Sequence, residues 1–304
     1  MTSWKGKTRG GLTGYKIFIS VLKFSGLPLA YFLLRFVAFY FFVFSPKSFV
    51  PIFSFYRKRL YFGFLRSILF IYRNYFAFGQ VLLDKVAAMA GFRTNFSFTY
   101  EGETYLREMV ENGPGGLLIS AHIGNFEMAG NMLERLKTPV NIIMFDAEHA
   151  RIKDYLSSVT SRNFNVIVIK EDNTHIYEIN KAFREKQIIC IHGDRFLQGS
   201  KTMTIDFLGG KALFPTGPFY LAMKYNVPVS FVFAMKEGKK HYHFYASPPK
   251  YYPQQGLQQK RDQTIKTIIK DYIDLMEKTI RKYPSQWFNY YNFWQTNDHD
   301  KTTA

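Results

Sequence analysis

Short apolar runs alternate with segments of helical periodicity through most of the chain. The predicted strands cover residues 116–121, 141–145, 165–170, 187–191, 228–235 and 242–246. The predicted helices cover residues 125–136, 147–158, 174–185, 217–224 and 257–282. Strands that alternate with helices favour an α/β fold, in which a mostly parallel central sheet is covered by helices.

The first third of the chain has a different pattern, because its apolar runs are longer. Residues 27–44 are apolar except for Arg35. A bilayer span needs about 20 apolar residues, and an arginine near the middle of the run is costly there. Basic residues flank this run on both sides, so the charge asymmetry that orients a spanning helix is missing. We therefore favour helices that lie in the membrane interface or enter one leaflet.

Two further features of this region concern helix boundaries and processing. The pair Ser45–Pro46 and Pro51 predict a break between helices. A second long helix is predicted over residues 56–90 from its helical spacing of apolar residues. A cleaved signal peptide is disfavoured, because no small-residue cleavage site follows a short apolar core. The alternative for the aromatic residues here is a soluble core.

Charge and aromatic content separate the chain into two regions. The 304 residues carry a formal net charge of +17. Residues 1–100 contain 14 Lys and Arg but a single acid, Asp84. Together with 32 Phe and 21 Tyr, this is typical of a membrane-surface protein, since rings sit at headgroup level and cations meet anionic lipid. We expect a basic aromatic membrane-associating helical region over residues 1–95 and an α/β domain over 96–304.

Composition also excludes several classes of protein. A hydrophobic share of 47% excludes disorder as the main state, and a single cysteine, Cys190, excludes a disulfide scaffold and a cysteine-based zinc site. Nucleic acid is the rival partner for so basic a chain. We disfavour it, because the positive charge is interleaved with an apolar run too hydrophobic for a solvated arm. His241 and His243 are a weak metal signal, and we expect surface histidines and no metal site.

A polar cluster follows the first predicted strand of the sheet. It contains His122, Asn125 and Glu127. Ligands of such sheets bind beyond the carboxyl ends of the strands, so this is a position for chemistry. A carboxylate that holds one ring nitrogen of a histidine leaves the other as a general base. The alternative, favoured on these residues alone, is a helix start with Asn125 as cap and Glu127 complementing the helix dipole.

A second polar cluster follows a later strand, at residues 192–195. Its histidine, His192, is a second candidate for the base and ranks below His122. Farther along, Thr216 and Gly217 open a predicted helix. Such a turn can present backbone N–H groups and a hydroxyl to an anion or a developing oxyanion. The alternative is an ordinary loop with a Pro-Gly helix start.

Four sequence blocks occur in an informative order. They are His122-x4-Glu127, Gly193-Asp194-Arg195, the Phe-Leu-Gly-Gly and Pro-Thr-Gly-Pro motifs of residues 207–218, and Val227-Pro228-Val229. In this order the chain resembles the lysophospholipid acyltransferase superfamily, and within it the bacterial lipid A biosynthesis acyltransferases. The closer markers are the 207–218 run and the Tyr-Pro-Ser-Gln-Trp motif of residues 283–287. The resemblance covers residues 96–294.

This resemblance implies a glycerolipid-acyltransferase-like fold and the transfer of a fatty acyl chain from a thioester to a lipid A precursor hydroxyl. It makes His122 the catalytic general base, oriented by Glu127, and so reverses the preference for a plain helix start. It implies a substrate-binding role for Asn125, Asp194, Arg195, Thr216 and Gly217. No cofactor or metal is implied. Phe196 stands where many members carry a second Asp, which leaves the acceptor open.

The resemblance also implies partners and a location. The donor is acyl carrier protein or acyl-CoA, and the acceptor is an anionic membrane lipid. Because these donors are cytoplasmic, we expect the catalytic domain on the cytoplasmic face of the inner membrane. A basic surface raises the encounter rate with an acidic carrier protein. Two alternatives stay open: an acyltransferase for an amino-acid lipid, a pigment or a lysophospholipid, and a non-catalytic lipid-binding protein on the same fold.

Overall fold

The N-terminal part of the protein is helical. The computed structural model describes residues 12–92, 94–111, 113–125, 128–129, 133, 135–136, 138–145, 165–169, 174–196, 199–252 and 258–294. The N-terminal elements are α1 (Leu12–Phe44), α2 (Pro46–Ser54), a π-helical turn (Phe55–Arg59) and α3 (Phe64–Met89). By length and composition, the Lys16–Phe44 part of α1 is long and apolar enough to cross a membrane. No other helix in the described ranges meets both conditions.

The rest of the described chain forms a sheet, a hairpin and four helices. The sheet strands are β1 (Ser97–Glu101), β2 (Gly116–Ser120), β3 (Val140–Phe145), β4 (Asn165–Ile169), β5 (Ile188–His192), β8 (Val229–Lys236) and β9 (His241–Ala246). The hairpin strands are β6 (Thr202–Phe207) and β7 (Gly210–Pro215). The helices are α4 (Glu103–Glu111), α5 (Thr174–Arg184), α6 (Gly217–Tyr225) and α7 (Gln258–Lys282), followed by a 3-10 turn (Pro284–Gln286).

The strand order in the sheet is β1-β9-β8-β2-β5-β3-β4. All neighbouring strands are parallel except β8 and β9, which are antiparallel. The structure therefore confirms the predicted α/β class with a mostly parallel sheet. The six predicted strands are present within about two residues at each end, the usual uncertainty of a boundary. The predicted helix over 147–158 and half of the residues of the one over 125–136 lie outside the described residues.

Helix α2, strand β1, helix α4 and the hairpin β6–β7 were not predicted, and one predicted helix is wrong at its start. Strand β1 and helix α4 carry no pronounced apolar run. The single helix predicted over 56–90 is interrupted after the π-helical turn. Tyr61 has a left-handed φ of 56°, and α3 starts only at Phe64, after the extended Gly63. The predicted break is confirmed at Ser45 but is wrong at Pro51, which lies inside α2.

The core continues from the helical region into the sheet. Ile52, Phe55 and Ile71 belong to the same buried cluster as Ile119 on β2 and Trp287 near the C-terminus. The two regions therefore share apolar burial, which is the main stabilising term of folding. The predicted division at residue 95 stays a prediction.

A buried charged network also joins the two regions. Asp84 on α3 is fully buried, and its carboxylate accepts hydrogen bonds from Tyr31 on α1, Tyr242 on β9 and the Nζ of Lys236 on β8. Burial raises the pKa of Asp84 and lowers that of Lys236, and the attraction between the two groups opposes both shifts. Asp84, the single acid of the first hundred residues, thus connects α1 and α3 to the sheet.

We predict that Lys236→Met destabilises the fold severely, because Asp84 is left as a buried charge without its cationic partner. Breaking a buried ion pair costs about 3–5 kcal/mol of unfolding free energy. The double variant Asp84→Asn/Lys236→Met should recover most of that loss. Denaturant unfolding in detergent, followed by tryptophan fluorescence, measures both.

The matched control is Lys211→Met, which breaks an exposed ion pair with Asp206. Such surface pairs are worth about 0–1 kcal/mol. Equal losses of stability for Lys211→Met and Lys236→Met would contradict the structural role given to the buried pair.

Candidate active site

The site forms where two neighbouring strands end. Strands β2 and β5 are parallel, and their register places Ser120 opposite His192. The chain leaves both strands at the same edge of the sheet, so the residues just beyond them come together. His122 lies two residues after the end of β2, and Asp194 lies two residues after the end of β5.

A carboxylate holds the imidazole of His122. The Oδ1 atom of Asp194 lies 2.8 Å from His122 Nδ1, and Asp194 Oδ2 accepts a 3.0 Å hydrogen bond from the His122 backbone N–H. Asp194 is buried, whereas the side chain of His122 is 21% exposed. With a proton on Nδ1 donated to Asp194, Nε2 is the ring nitrogen that can accept a proton.

Burial, with nearby positive charge, keeps the two histidines neutral at pH 7. The pKa of His122 is below its ordinary value, because burial and the positive charge of Arg195 outweigh the attraction of Asp194. The His192 ring lies 4.3 Å from that of His122, and burial lowers the pKa of His192 to about 3. Burial alone would raise the pKa of Asp194, but interaction with His122 outweighs it and holds the pKa below its ordinary value. The pair is therefore a neutral imidazole beside an ionised carboxylate.

Glycines at two positions let the backbone approach closely enough to form this site. Gly124 has a φ of 65°, and a Cβ there would lie 2.1 Å from the carbonyl oxygen of Ala234. A Cβ on Gly193 would lie 2.9 Å from Cγ2 of Ile119 and 3.0 Å from the ring of Phe219 on α6. Any larger residue at Gly124 is strained in its conformation as well as its contacts.

The C-terminal segment holds the loop that carries His122. The backbone N–H of Phe288 donates to the carbonyl of His122 at 2.9 Å, and that of Gly124 donates to the carbonyl of Gln286 at 2.8 Å. Arg195 Nη2 donates to the Phe288 carbonyl at 2.7 Å. Residues 286–288 therefore run alongside the loop like a short extra strand and also hold the guanidinium beside it.

The other predicted site residues are placed as follows. Asn125 is buried: its Oδ1 accepts from the backbone N–H of Met128 at 3.3 Å, and its Nδ2 donates to the Tyr242 hydroxyl at 3.2 Å. This is the geometry of a cap, and a direct substrate contact by Asn125 stays a prediction. Glu127 lies outside the described residues, so its predicted contact with His122 stays a prediction as well.

Thr216 and Gly217 lie where the hairpin meets α6. Thr216 is buried, and its hydroxyl donates to the Lys201 carbonyl at 3.1 Å, which closes the open end of the hairpin. Gly217 begins α6, and a Cβ built there meets no other atom within 4 Å. Helix α6 reaches the His122 site through Phe219, whose ring packs on Gly193.

The histidines on β9 are held by polar neighbours. His243 lies 3.0 Å from Glu101 and 3.3 Å from Glu237, and His241 contacts hydroxyls of Ser97 and Thr99. Within the ranges that the structure describes, no group of three His, Cys, Asp or Glu side chains is arranged to hold a metal ion.

Sequence reasoning missed two features of the site. Asp194 was expected among the substrate-binding residues, whereas the structure places it against His122. The sequence signal was available, since both residues follow predicted strands, but its use requires knowing that β2 and β5 are neighbours. Tyr272 on α7 supports the end of β2 by donating to the Ser120 carbonyl at 2.9 Å. We find no sequence signal for that contact.

A histidine held by a carboxylate at the carboxyl edge of a mostly parallel α/β sheet is an arrangement that can remove a proton from a hydroxyl. The sequence matches the family described as bacterial lipid A biosynthesis acyltransferase over residues 70–296. Because this match spans well over half of the chain, the protein belongs to that family and is an acyltransferase.

A sequence comparison with curated proteins gives no significant match. Among solved structures, the chain is similar to the 1-acyl-sn-glycerophosphate (LPA) acyltransferase PlsC from Thermotoga maritima, with 12% sequence identity and a TM-score of 0.36. That alignment covers 82% of this chain and 98% of the other.

We predict that two substitutions beside His122 shift its pKa in opposite directions. Asp194→Asn should lower it further, because the carboxylate charge and hydrogen bond favour the protonated ring. Arg195→Gln should raise it, because a positive charge that disfavours protonation is removed. NMR titration of histidine-labelled protein in detergent measures both, with His122→Ala assigning the signal. Shifts of the same sign would contradict the charge arrangement.

Proposed function

We propose that the protein moves a fatty acyl chain from the thioester of acyl carrier protein, or of CoA, to a hydroxyl of a lipid A precursor. The observation that carries this is the pairing of His122 Nδ1 with Asp194 at the sheet edge, in a chain of this family. The pairing leaves Nε2 as the basic nitrogen of a partly exposed histidine, which is what proton removal from a hydroxyl requires.

In this reaction His122 acts as general base and then as general acid. The acceptor hydroxyl gives its proton to Nε2 as its oxygen attacks the thioester carbonyl carbon. The C–S bond then breaks, and the imidazolium returns the proton to the departing thiolate. An ester and a free thiol result, and no acyl-enzyme is formed.

Two carboxylates compete for the role of orienting His122. The family resemblance gives this role to Glu127, and we retain it as a proposal. The contact with Nδ1 at 2.8 Å supports Asp194 in the same role. Such a carboxylate fixes the tautomer and stabilises the imidazolium that forms during the reaction.

The proposed substrate contacts follow the chemistry of each position. Arg195 supplies positive charge next to His122, where a lipid phosphate or a developing oxyanion is stabilised. Thr216 and Gly217 lie at the N-terminus of α6, where backbone N–H groups favour negative charge. Asn125 contributes through the cap that fixes the start of the segment containing Glu127.

The charge of the chain supports the proposed partners and location. A net charge of +17 favours encounters with an acidic carrier protein and with anionic lipid. The apolar helix over Lys16–Phe44 supports association with the inner membrane. The catalytic domain would lie on the cytoplasmic face, where the thioester donors are found.

We predict that His122→Ala lowers kcat by about 10²–10⁴-fold, the usual contribution of a positioned base. In host cells lacking the gene, lipid mass spectrometry should show one lipid A species short of a single acyl chain. The wild-type gene should restore that chain and His122→Ala should not, while His175→Ala serves as a matched control. Restoration by His122→Ala would make His192 the next candidate base. A change confined to another lipid class would show that the acceptor is wrong.

We predict that Asp194→Asn lowers kcat strongly with little change in KM, because the base is no longer held in its productive tautomer. Glu127→Gln tests the competing assignment in the same assay with purified protein. If Glu127→Gln removes activity while Asp194→Asn retains it, Glu127 is the orienting carboxylate and Asp194 has a structural role.

A further inference from the structure

The end of α1 and the start of α3 lie close together. Helices α1 and α3 are antiparallel, since Tyr31 contacts Asp84 whereas Phe42 packs on Tyr72. The C-terminal end of α1 and the N-terminal end of α3 therefore lie at the same end of the pair. Because Asp84 fixes α3 to the sheet, α1 runs along the flank of the α/β domain.

Large apolar side chains are exposed at this common end. Leu65 is 81% exposed and Tyr61 is 76% exposed. Other exposed apolar side chains lie at the end of α1, in α2 and in the first two turns of α3. They are Tyr40, Phe44, Val50, Phe64 and Leu69. A concentration of exposed apolar side chains of this kind marks an interaction surface.

Basic side chains surround the same end. We call residues 57–66 the basic turn, since it contains Arg57, Lys58 and Arg66 in exposed positions. Arg57 Nη1 donates to the Phe62 carbonyl at 2.6 Å, and the Arg66 guanidinium lies 3.9 Å from the centre of the Phe62 ring. None of the ion pairs between described residues involves these three side chains, so carboxylates there do not neutralise their charge.

We propose that the basic turn inserts into the headgroup region of an anionic bilayer, a second membrane contact in addition to α1. Leu65 and Phe64 would reach the acyl boundary, and Arg57, Lys58 and Arg66 would bind lipid phosphates. Exposed apolar side chains between cations favour a lipid surface over an acidic protein, which needs only the charges. The inference rests on the membrane association in the proposed function.

This contact sets the height of the active site above the bilayer. Asn74 on α3 donates to the carbonyls of Ser285 and Trp287, next to the residues that hold the His122 loop. Asn74 follows Leu65 by nine residues, or about 14 Å along the helix. With Leu65 inserted, the segment beside His122 stands at headgroup level or just above it. That height suits the acylation of a headgroup hydroxyl.

Site-directed fluorescence tests the insertion in the full-length protein. Leu65→Cys and Tyr177→Cys are each labelled with an environment-sensitive dye, and Tyr177 on α5 is the control because it is 75% exposed. Burial raises the pKa of the native Cys190 to about 12, and labelling of the wild type measures the background from this thiol. Each protein is bound to phosphatidylglycerol/phosphatidylethanolamine vesicles that contain a shallow spin-labelled lipid quencher.

We expect the emission of the dye at position 65 to shift to the blue and to be quenched by the spin-labelled lipid. The emission of the dye at position 177 should remain that of a dye in water. Arg57→Gln/Arg66→Gln should reduce quenching at position 65 by about twofold or more, because two phosphate contacts are lost. Equal exposure of both labels would overturn the proposal. So would a signal at 65 that responds to acyl carrier protein but not to vesicles. The measurement needs no turnover, so its outcome is independent of whether acyl transfer is confirmed.

Discussion

The site depends on the parallel pairing of β2 with β5. Their register sets Ser120 opposite His192, and from there both chains turn outward over equal lengths to bring His122 against Asp194. A shift of this register would separate the ring from the carboxylate by a residue's rise of about 3.3 Å, more than the length of the hydrogen bond. The strands fix this pairing by burial, since β2 is buried at every position. Packing of a fully buried strand thus determines the geometry of a polar site.

The helical region is part of the same structure rather than an appended anchor. Its apolar side chains share the core, and Asp84 joins it to β8 and β9. Tyr242, which donates to Asp84, also accepts from Asn125 in the loop after β2. A continuous chain of polar contacts therefore links Tyr31 on α1 to Asn125, which accepts a hydrogen bond from the Met128 backbone N–H.

Sequence reasoning recovered what local pattern determines. The apolar runs that become β2, β5 and β8 were predicted, and the polar residues that follow β2 and β5 were predicted to form a site. It could not supply the partner of His122, because sheet order arises from tertiary packing of strands far apart in sequence. The interruption of the helix predicted over 56–90 depends on a left-handed Tyr61. That conformation is uncommon for a tyrosine, so helical spacing alone gave no warning of it.

The opposed charges around His122 have a direct consequence for the proposed reaction. Arg195 and burial make the imidazolium unfavourable in the resting site, whereas Asp194 favours it. When the acceptor oxygen attacks the thioester, negative charge develops on the carbonyl oxygen, and a positive group fixed nearby stabilises it. In the proposed reaction Arg195, held in place by the Phe288 carbonyl, would interact with that oxyanion at little reorganisation cost. The group that weakens the base in the resting state would thus favour the transition state, which is where stabilisation accelerates a reaction.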